Sequence, residues 1–254
     1  MDVSKKRKVI FDVGAHNGDD TEFYLGKGFD VVAVEANPYL VRVLNERFSS
    51  AIAEKRLTVV ERAIVRGPEK ELPFYINLEK DDWSSVRESW AVKDGMAVET
   101  VRARTVRLSE LFRKFGVPHF LKVDIEGGDE AVARSLIDVP ALPEFVSFEI
   151  HNPIILAILA TVGYPQFQLV NQWFNGFITP LAESHEGENY WPEAGGFGSF
   201  HSGLFGQDLP AGEWLSLDKT MELFVANQAA RKSGLMKTSW WDVHARLVPE
   251  AGAQ

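Results

Sequence analysis

Short, almost wholly apolar segments alternate with helix-like stretches over the first two thirds of the chain, and this alternation restricts the fold more than any other feature. Val9–Val13 ends at a glycine and precedes a helical stretch over 20–27, and Asp30–Glu35 precedes another over 39–48. Strands that are apolar on both faces are typical of parallel sheets with helices on both sides. The pattern predicts an α/β fold with a doubly wound, mostly parallel sheet.

The rest of the chain continues this alternation with one interruption. The third to sixth strands are predicted at 57–64, 120–125, 145–150 and 167–170, and helical stretches at 130–137 and 154–161. Residues 72–106 depart from the pattern, and we interpret them as an added hairpin or arm that carries a loop back over the sheet edge. The length fits one domain over 1–254, with a core over about 8–180 and a C-terminal segment over 215–254.

A tract over 183–214 is rich in glycine, acidic residues and aromatic residues. Its ring-bearing residues are His185, Tyr190, Trp191, Phe197, Phe200, His201, Phe205 and Trp214. So long a loop in a compact domain is usually a lid or a binding loop. We expect a lid-like insertion over the site, the alternative being an ordered surface loop that packs its aromatic side chains inward.

Charge and composition exclude several classes of function. The net charge of -9 disfavours nucleic acid and anionic membranes as partners. The chain has no cysteine, which removes disulfides and thiol nucleophiles and fits a cytoplasmic protein. Its longest apolar run, over 154–162, is about half of a bilayer crossing, so no membrane span is expected. The sequence leaves a homo-oligomer open.

The first two strand ends carry the residues of a nucleoside site. Gly14 and Gly18, on either side of a turn that also holds the small Ala15, allow a ligand to lie against bare backbone. Glu35 ends the second strand 21 residues after Gly14, a spacing at which a carboxylate commonly binds the hydroxyls of an adenosyl ribose. The two features together predict that a nucleoside binds here.

The acidic character of the turn favours a cationic nucleoside cofactor. Asp12, Asp19 and Asp20 surround the position where a dinucleotide pyrophosphate would lie, and the full Gly-x-Gly-x-x-Gly pattern is missing. S-adenosylmethionine has a sulfonium and an ammonium group, which suit this turn better. The alternatives are an NAD-dependent dehydrogenase of the Rossmann type and a non-catalytic cofactor-binding or oligomerising module.

Three sequence blocks resemble known methyltransferases. Residues 9–21, VIFDVGAHNGDDT, and 32–38, VAVEANP, resemble the first two motifs of class I S-adenosylmethionine-dependent methyltransferases. Residues 121–130, LKVDIEGGDE, resemble the Lys-x-Asp-x-Glu-Gly block of the FkbM family, with weaker similarities at 83–86, 148–151 and 163–164. The resemblance covers roughly 9–180 and implies a seven-stranded, Rossmann-like class I fold.

The resemblance also implies roles for individual residues. Asp12, Gly14 and Gly18 would frame the methionine end of S-adenosylmethionine, and Glu35 would hold its ribose. Ala63 and Ile64 would border the adenine, and Asp124 would face the sulfonium. The full set expected to bind the cofactor is Asp12, Gly14, Ala15, His16, Asn17, Gly18, Thr21, Glu35, Ala36, Ala63, Ile64, Ser85 and Asp124.

Methyl transfer to a hydroxyl needs a positioned acceptor and a group that takes its proton. Asp124, Glu126 and His151 are the predicted catalytic residues, with Glu149 as a further carboxylate nearby. Alternatively, His151 caps the following helix and the carboxylate of Glu126 binds loop amides. Such carboxylates could also gather a divalent cation, but no metal is predicted. The expected reaction is O-methylation of a small-molecule or saccharide acceptor.

Overall fold

The computed structural model describes residues 7–92, 95–177, 186–187, 201–209, 212–235 and 239–247, with only the backbone described at 175–177. The strands in this part of the chain are β1 Val9–Val13, β2 Asp30–Glu35, β3 Leu57–Glu61, β4 Ala63–Ile64, β5 Glu71–Asn77, β6 Val98–Val106, β7 Phe120–Val123, β8 Phe145–Glu149, β9 Gln166–Asn171 and β10 Trp241–Arg246. The α-helices are α1 Asp19–Gly26, α2 Pro38–Arg47, α3 Ser49–Ala53, α4 Glu88–Ala91, α5 Leu108–Phe115, α6 Asp129–Ser135, α7 Ile154–Val162 and α8 Leu217–Lys232.

The main sheet has seven strands in the order β3-β2-β1-β7-β8-β10-β9. The pairs β3-β2, β2-β1, β1-β7 and β7-β8 are parallel, whereas β10 runs antiparallel to both β8 and β9. Side chains of α5 to α8 cover one face, and those of α1 and α2 pack on the other. The predicted doubly wound, mostly parallel sheet is therefore confirmed.

The third predicted strand is shorter than the sequence suggested. The main-sheet strand ends at Glu61, and the Arg62 amide makes the last contact with β2 by donating to the carbonyl of Glu35 at 3.0 Å. Ala63 and Ile64 then pair with β6 in a second, three-stranded sheet. The prediction of one continuous strand over 57–64 is wrong, since the apolar pattern continues across a change of sheet.

The irregular region before the fourth predicted strand forms the expected arm. β5 and β6 pair antiparallel from Glu71 opposite Arg104 to Asn77 opposite Val98. A short 3-10 turn, Asp81–Trp83, follows β5 and lies near the turn after β1, where Asp81 Oδ1 is 3.1 Å from His16 Nε2. The arm therefore reaches the carboxyl ends of the central strands.

The described part of the 183–214 tract packs inward. Phe205 stacks on Phe120 with ring centroids 4.2 Å apart, and Trp214 lies 6.4 Å from the ring of Phe145. Residues 201–209, which we call the 201–209 segment, thus cover the same sheet face as α1. Of the predicted lid aromatics, His185, Tyr190, Trp191, Phe197 and Phe200 lie outside the described residues.

Buried charges hold the far end of this segment. Lys27 of α1 forms a buried ion pair with Asp208, whose carboxylate also accepts from the Glu186 amide at 3.2 Å. The Glu186 carboxylate lies 3.3 Å from His119 Nε2, and Glu144 lies 2.9 Å from His119 Nδ1. The segment is therefore part of the packed domain where it is described.

In the part of the chain that the structure describes, no helix is long and apolar enough to cross a bilayer.

Candidate functional site

A cavity of about 1160 Å³ opens at the carboxyl ends of the central parallel strands. This edge is where open α/β sheets bind their ligands. It is lined by most of the residues predicted for the site, namely Asp12, Gly14, Ala15, His16, Asn17, Glu35, Ala36, Ala63, Ile64, Asp124, Glu126 and His151. The lining does not include Gly18, Thr21 or Ser85. These three residues instead form hydrogen bonds with residues that line the cavity.

The two glycines of the turn allow close approaches between elements. Gly14 has a φ of +84°, and a Cβ there would lie 1.9 Å from the carbonyl oxygen of Asp124. Gly18 has a φ of +92° at the start of α1, and a Cβ there would lie 2.3 Å from the ring of Phe48. Gly14 thus brings the ends of β1 and β7 together, while Gly18 brings α1 onto α2.

Asp12 is a fully buried carboxylate with one oxygen left for a ligand. Thr21 donates its hydroxyl to Asp12 Oδ2 at 2.6 Å, whereas Asp12 Oδ1 has no hydrogen-bond partner. Burial raises the pKa of Asp12 to about 6, with Lys122 lowering it and Asp20 raising it further. A buried acceptor without a donor is costly, so the group is suited to a ligand N–H.

Glu35 is fixed by backbone donors from two loops. The His16 amide donates to Glu35 Oε2 at 2.9 Å, and the Asn37 amide donates to Oε1 at 2.8 Å. Burial raises the pKa of Glu35, while these backbone hydrogen bonds lower it. Because a carboxylate oxygen can accept more than one hydrogen bond, the fixed group can still bind two ligand hydroxyls.

The loop after β7 is held by the side chain of Asp129. The Asp129 carboxylate accepts from the amides of Ile125 at 3.4 Å and Gly127 at 3.2 Å. Burial, with the nearby charge of Asp124, raises the pKa of Asp129 well above its ordinary value. Asp129, which the sequence did not single out, therefore fixes the amides of the loop that carries Glu126.

Ser85 lies in the arm between β5 and β6 and connects it to the loop after β7. Its side chain is fully buried, and its hydroxyl donates to the carbonyl oxygen of Glu126 at 2.7 Å. Glu126 itself has a left-handed backbone with a φ of 47°. Ser85, predicted to bind the cofactor, instead supports the loop that carries Glu126 and Asp124.

His151 and Glu149 form a pair at the end of β8. His151 Nε2 lies 3.1 Å from Glu149 Oε2, and the imidazole packs 4.8 Å from the ring of Trp90. Burial lowers the pKa of His151, but the hydrogen bond and charge of Glu149 outweigh it, so the pKa is raised. A Cβ on Gly127 would lie 2.6 Å from Trp90, so this glycine lets the indole reach His151.

Several residues of the site were missed by sequence reasoning. They are Trp90, Lys122, Asp129 and Asp242, of which the three ionisable ones are buried. A charged residue inside an apolar strand was the signal available for Lys122, which belongs to the quoted 121–130 block. Asp242 lies on the unpredicted strand β10, where Gln172 Nε2 donates to its carboxylate at 2.5 Å.

No cluster of three or more His, Cys, Asp or Glu side chains in the described ranges has the arrangement of a metal site. The geometry instead supplies a glycine turn, two buried carboxylates at neighbouring strand ends and a histidine across the cavity. This arrangement can hold a nucleoside and accept a proton from a second ligand.

Searches of solved structures give similarities at low sequence identity. Precorrin-6y C5,15-methyltransferase from Geobacter metallireducens matches with a TM-score of 0.41 at 10% identity over 95% of this chain and 81% of its own. The StiE O-MT matches with a TM-score of 0.41 at 10% identity over 96% and 69%. A Burkholderia thailandensis 1,6-didemethyltoxoflavin-N1-methyltransferase, solved with S-adenosylhomocysteine, has a TM-score of 0.34 at 11% identity over 65% and 64%.

Sequence comparison gives the family. A search of curated proteins finds no match. The family model described as the methyltransferase FkbM domain matches residues 12–177, which is more than half of the 254 residues. The matched region contains the glycine turn, Glu35, the loop after β7 and the His151–Glu149 pair. The chain therefore belongs to the FkbM methyltransferase family.

Proposed function

We propose that the protein transfers a methyl group from S-adenosylmethionine to a hydroxyl oxygen of a small-molecule or saccharide acceptor. The family supports methyl transfer as the reaction class. The observation that carries the cofactor assignment is the unpartnered oxygen of Asp12, which shares one cavity with the fixed carboxylate of Glu35.

The residues of this cavity fit the chemical groups of S-adenosylmethionine. Asp12 Oδ1 would accept from the ammonium group, and Glu35 would accept from the ribose hydroxyls. Gly14 lines the cavity without a side chain, and its close approach to Asp124 keeps the ends of β1 and β7 together beside the ligand. Ala63 and Ile64 are buried apolar residues on the cavity wall and suit the adenine.

When bound, S-adenosylmethionine supplies a methyl group on a cationic sulfur. The protein's part is to orient the acceptor and to take its proton. With Nε2–H donating to Glu149, the imidazole of His151 presents Nδ1 as the proton-accepting nitrogen. We assign His151 as the general base, Asp124 and Glu126 as the carboxylates nearest the acceptor, and Glu149 as the residue that sets the tautomer of His151.

The character of the cavity supports a polar acceptor with a flat, partly apolar face. Trp83, Trp90 and Trp240 line it, together with the carboxylates of the loop after β7 and of Glu149 at the end of β8. Indole faces pack on sugar rings while carboxylates accept from sugar hydroxyls. A saccharide or a small polyol derivative meets both conditions.

The main alternative, an NAD-dependent dehydrogenase, is disfavoured by charge. Asp12 lies near the end of β1, and Asp19 and Asp20 lie at the start of α1, where a pyrophosphate would need positive partners. A non-catalytic module would have no use for the His151–Glu149 pair. The dehydrogenase and the non-catalytic module each predict cofactor binding that differs from the binding expected of a methyltransferase.

Isothermal titration calorimetry with S-adenosylmethionine, S-adenosylhomocysteine and NAD tests the cofactor assignment. We expect dissociation constants on the order of micromolar for the first two and no measurable binding of NAD. Binding of NAD alone would support the dehydrogenase, and binding of none of the three would support the module.

A separate screen tests the acceptor and the methylated atom. The protein is incubated with S-adenosylmethionine and matched panels of saccharides, small alcohols and amines, and products are assigned by NMR. The proposal predicts an O-methyl signal from the hydroxyl panels. Methylation confined to nitrogen or carbon would contradict the proposed oxygen acceptor while leaving the family assignment intact.

A further inference from the structure

Lys122 is a buried lysine in the middle of the sheet, close to the glycine turn after β1. It pairs in register with Asp12 on β1 and with Ser147 on β8, so the three side chains share one face. Lys122 is only 4% exposed. A lysine at such a site requires charged or polar partners.

Its ammonium group contacts carboxylates from two different elements. Lys122 Nζ lies 3.2 Å from Asp20 Oδ2 on α1 and 3.5 Å from Asp124 Oδ2 in the loop after β7. Burial lowers the pKa of Lys122, but Asp20, Asp124, Asp12 and Asp242 together raise it well above its ordinary value. Its position between these carboxylates makes Lys122 their positively charged partner.

The groups around Lys122 are otherwise neutral or negative. They are Asp12 of β1, Asp20 and Tyr24 of α1, Asp124 after β7, Ser147 of β8, and Asp242 and His244 of β10. Burial, with the charge of Lys122, lowers the pKa of His244 to about 3, which leaves that imidazole uncharged. Within this group of described residues, Lys122 is the one positive charge.

Asp20 extends this network to the 201–209 segment. Its carboxylate accepts from the Ser202 amide at 3.1 Å and from the Ser202 hydroxyl at 3.1 Å. The segment also approaches closely, since a Cβ on Gly203 would lie 2.8 Å from Asp20 Oδ1. The carboxylate that Lys122 neutralises is thus also the anchor of the segment above the cavity.

We propose that Lys122 is a positioning residue whose single ammonium group serves as the shared counter-ion for Asp12, Asp20 and Asp124. The position of Asp12 beside the turn after β1, the loop after β7 and the 201–209 segment then all depend on one cation. The part of this inference that concerns Asp12 rests on the proposed function, because it takes Asp12 as the partner of the cofactor's ammonium group. The part that concerns Asp20 does not.

Removing the cation has a defined consequence for cofactor binding. Asp12 binds an ammonium group only when it is ionised, so affinity rises with pH through its titration. Lys122 lowers the pKa of Asp12, which is about 6 in the intact protein. In Lys122→Met, Asp12 would therefore hold its proton to higher pH, and cofactor affinity at neutral pH would fall.

The first experiment compares S-adenosylmethionine affinity by calorimetry from about pH 5 to about pH 9 in three proteins. Lys122→Met should move the rise in affinity to higher pH, with about a tenfold loss in the rising region for each pH unit of displacement. Ser147→Ala is the matched control, because Ser147 is the buried in-register neighbour whose hydroxyl has no partner. The affinity of Ser147→Ala should follow the wild-type curve. The amino group of the cofactor itself titrates in the same way with all three proteins, so it does not contribute to a difference between them.

The second experiment measures amide hydrogen exchange without cofactor. Amides of the 201–209 segment should exchange about tenfold faster or more in Lys122→Met than in wild type. Those in Ser147→Ala should be unchanged. If wild type fails to bind S-adenosylmethionine, the proposed function fails, and this exchange measurement alone decides the role of Lys122.

If Lys122→Met does not fold, the double variant Lys122→Met, Asp20→Asn removes one negative charge together with the cation. Its cofactor curve should still be displaced to higher pH, because Asp12 still lacks its counter-ion. A curve identical to wild type in either variant, together with unchanged exchange in the segment, would overturn the proposal.

Discussion

Glu35 shows how one side chain can be both a structural and a binding group. Both of its oxygens already accept backbone amides, from His16 and from Asn37. These bonds fix the direction of the carboxylate before any ligand arrives, which lowers the ordering cost of binding. The residue therefore holds the ends of β1 and β2 in relation to each other, and in the proposed function it also binds the ribose.

We expect Glu35→Ala to weaken S-adenosylmethionine binding by roughly 1–3 kcal/mol, because charge-assisted hydrogen bonds to the ribose are lost. The measurement is calorimetry at fixed pH. Glu61→Ala is the matched control, since Glu61 pairs with Glu35 in register on β3 but is exposed. Equal affinities in wild type and Glu35→Ala would remove Glu35 from the binding site.

His151 should titrate above the ordinary histidine range. Burial favours the neutral ring, but Glu149 favours the protonated one and outweighs it, so the pKa is raised. In Glu149→Gln the midpoint should therefore fall, which NMR titration of the imidazole can follow without any acceptor. As an internal control, the pKa of His244 is lowered to about 3, so its signal should stay constant over the same range. An unshifted His151 midpoint in Glu149→Gln would contradict the pairing.

Residues of the site that were predictable from the sequence share a local signature. Gly14 and Gly18 flank one turn, and Glu35 ends the following strand. The contacts of Asp20 had no such signature, because its partners are distant in sequence: Lys122 lies on β7, and Ser202 lies 182 positions after Asp20. Only the fold brings these groups together.

At the level of elements, the 201–209 segment replaces a helix on one face of the sheet. Phe205 packs on Phe120, and Lys27 of α1 holds Asp208 through a buried ion pair. Both charges of this pair are nearly inaccessible, with side-chain exposures of 3% and 4%. Such a pair is costly to break by removing one member alone.

Lys27→Met should lower the free energy of unfolding by about 3–5 kcal/mol, because Asp208 would remain as an uncompensated buried charge. The double variant Lys27→Met, Asp208→Asn should recover most of this loss. Lys219→Met breaks an exposed pair with Glu222 and should change stability by less than about 1 kcal/mol. Urea unfolding measures all three, and a loss for Lys27→Met no larger than that for Lys219→Met would contradict the account.

Element boundaries were predictable where an apolar run ended at a turn residue. β1 and β2 lie where the sequence predicts them, whereas the third predicted strand divides at Arg62 between two sheets. An apolar pattern indicates that a segment is buried but does not indicate which sheet the segment joins. Inward packing was one of the two alternatives for the 183–214 tract, since glycine-rich aromatic sequence also suits a lid, and the structure shows it for Phe205.

At the scale of the molecule, the sheet is completed by a strand from the end of the chain. β10 lies between β8 and β9, although it follows β9 by about 70 residues. Its sequence alternates Asp242 and His244 with apolar residues, so it resembles a half-exposed strand rather than a buried one. The sequence predicted the doubly wound class but not this closing strand.

A chain that ends at residue 235 should fail to form the native sheet, because β9 would lose the strand that joins it to the sheet and β8 would keep only β7 as a partner. A chain that ends at residue 247 retains β10 and is the matched control. We expect cooperative thermal unfolding for the longer chain only, measured by circular dichroism. Cooperative unfolding of the shorter chain at the full-length midpoint would show that β10 is dispensable.

The central claim is that a nucleoside cofactor lies between the turn after β1 and the end of β2. A crystal structure of the protein with S-adenosylhomocysteine tests it most directly. The account predicts the amino group of the ligand within hydrogen-bond distance of Asp12 Oδ1 and the ribose hydroxyls on Glu35. A ligand bound elsewhere, or a cleft filled by the protein's own side chains at saturating ligand, would contradict it.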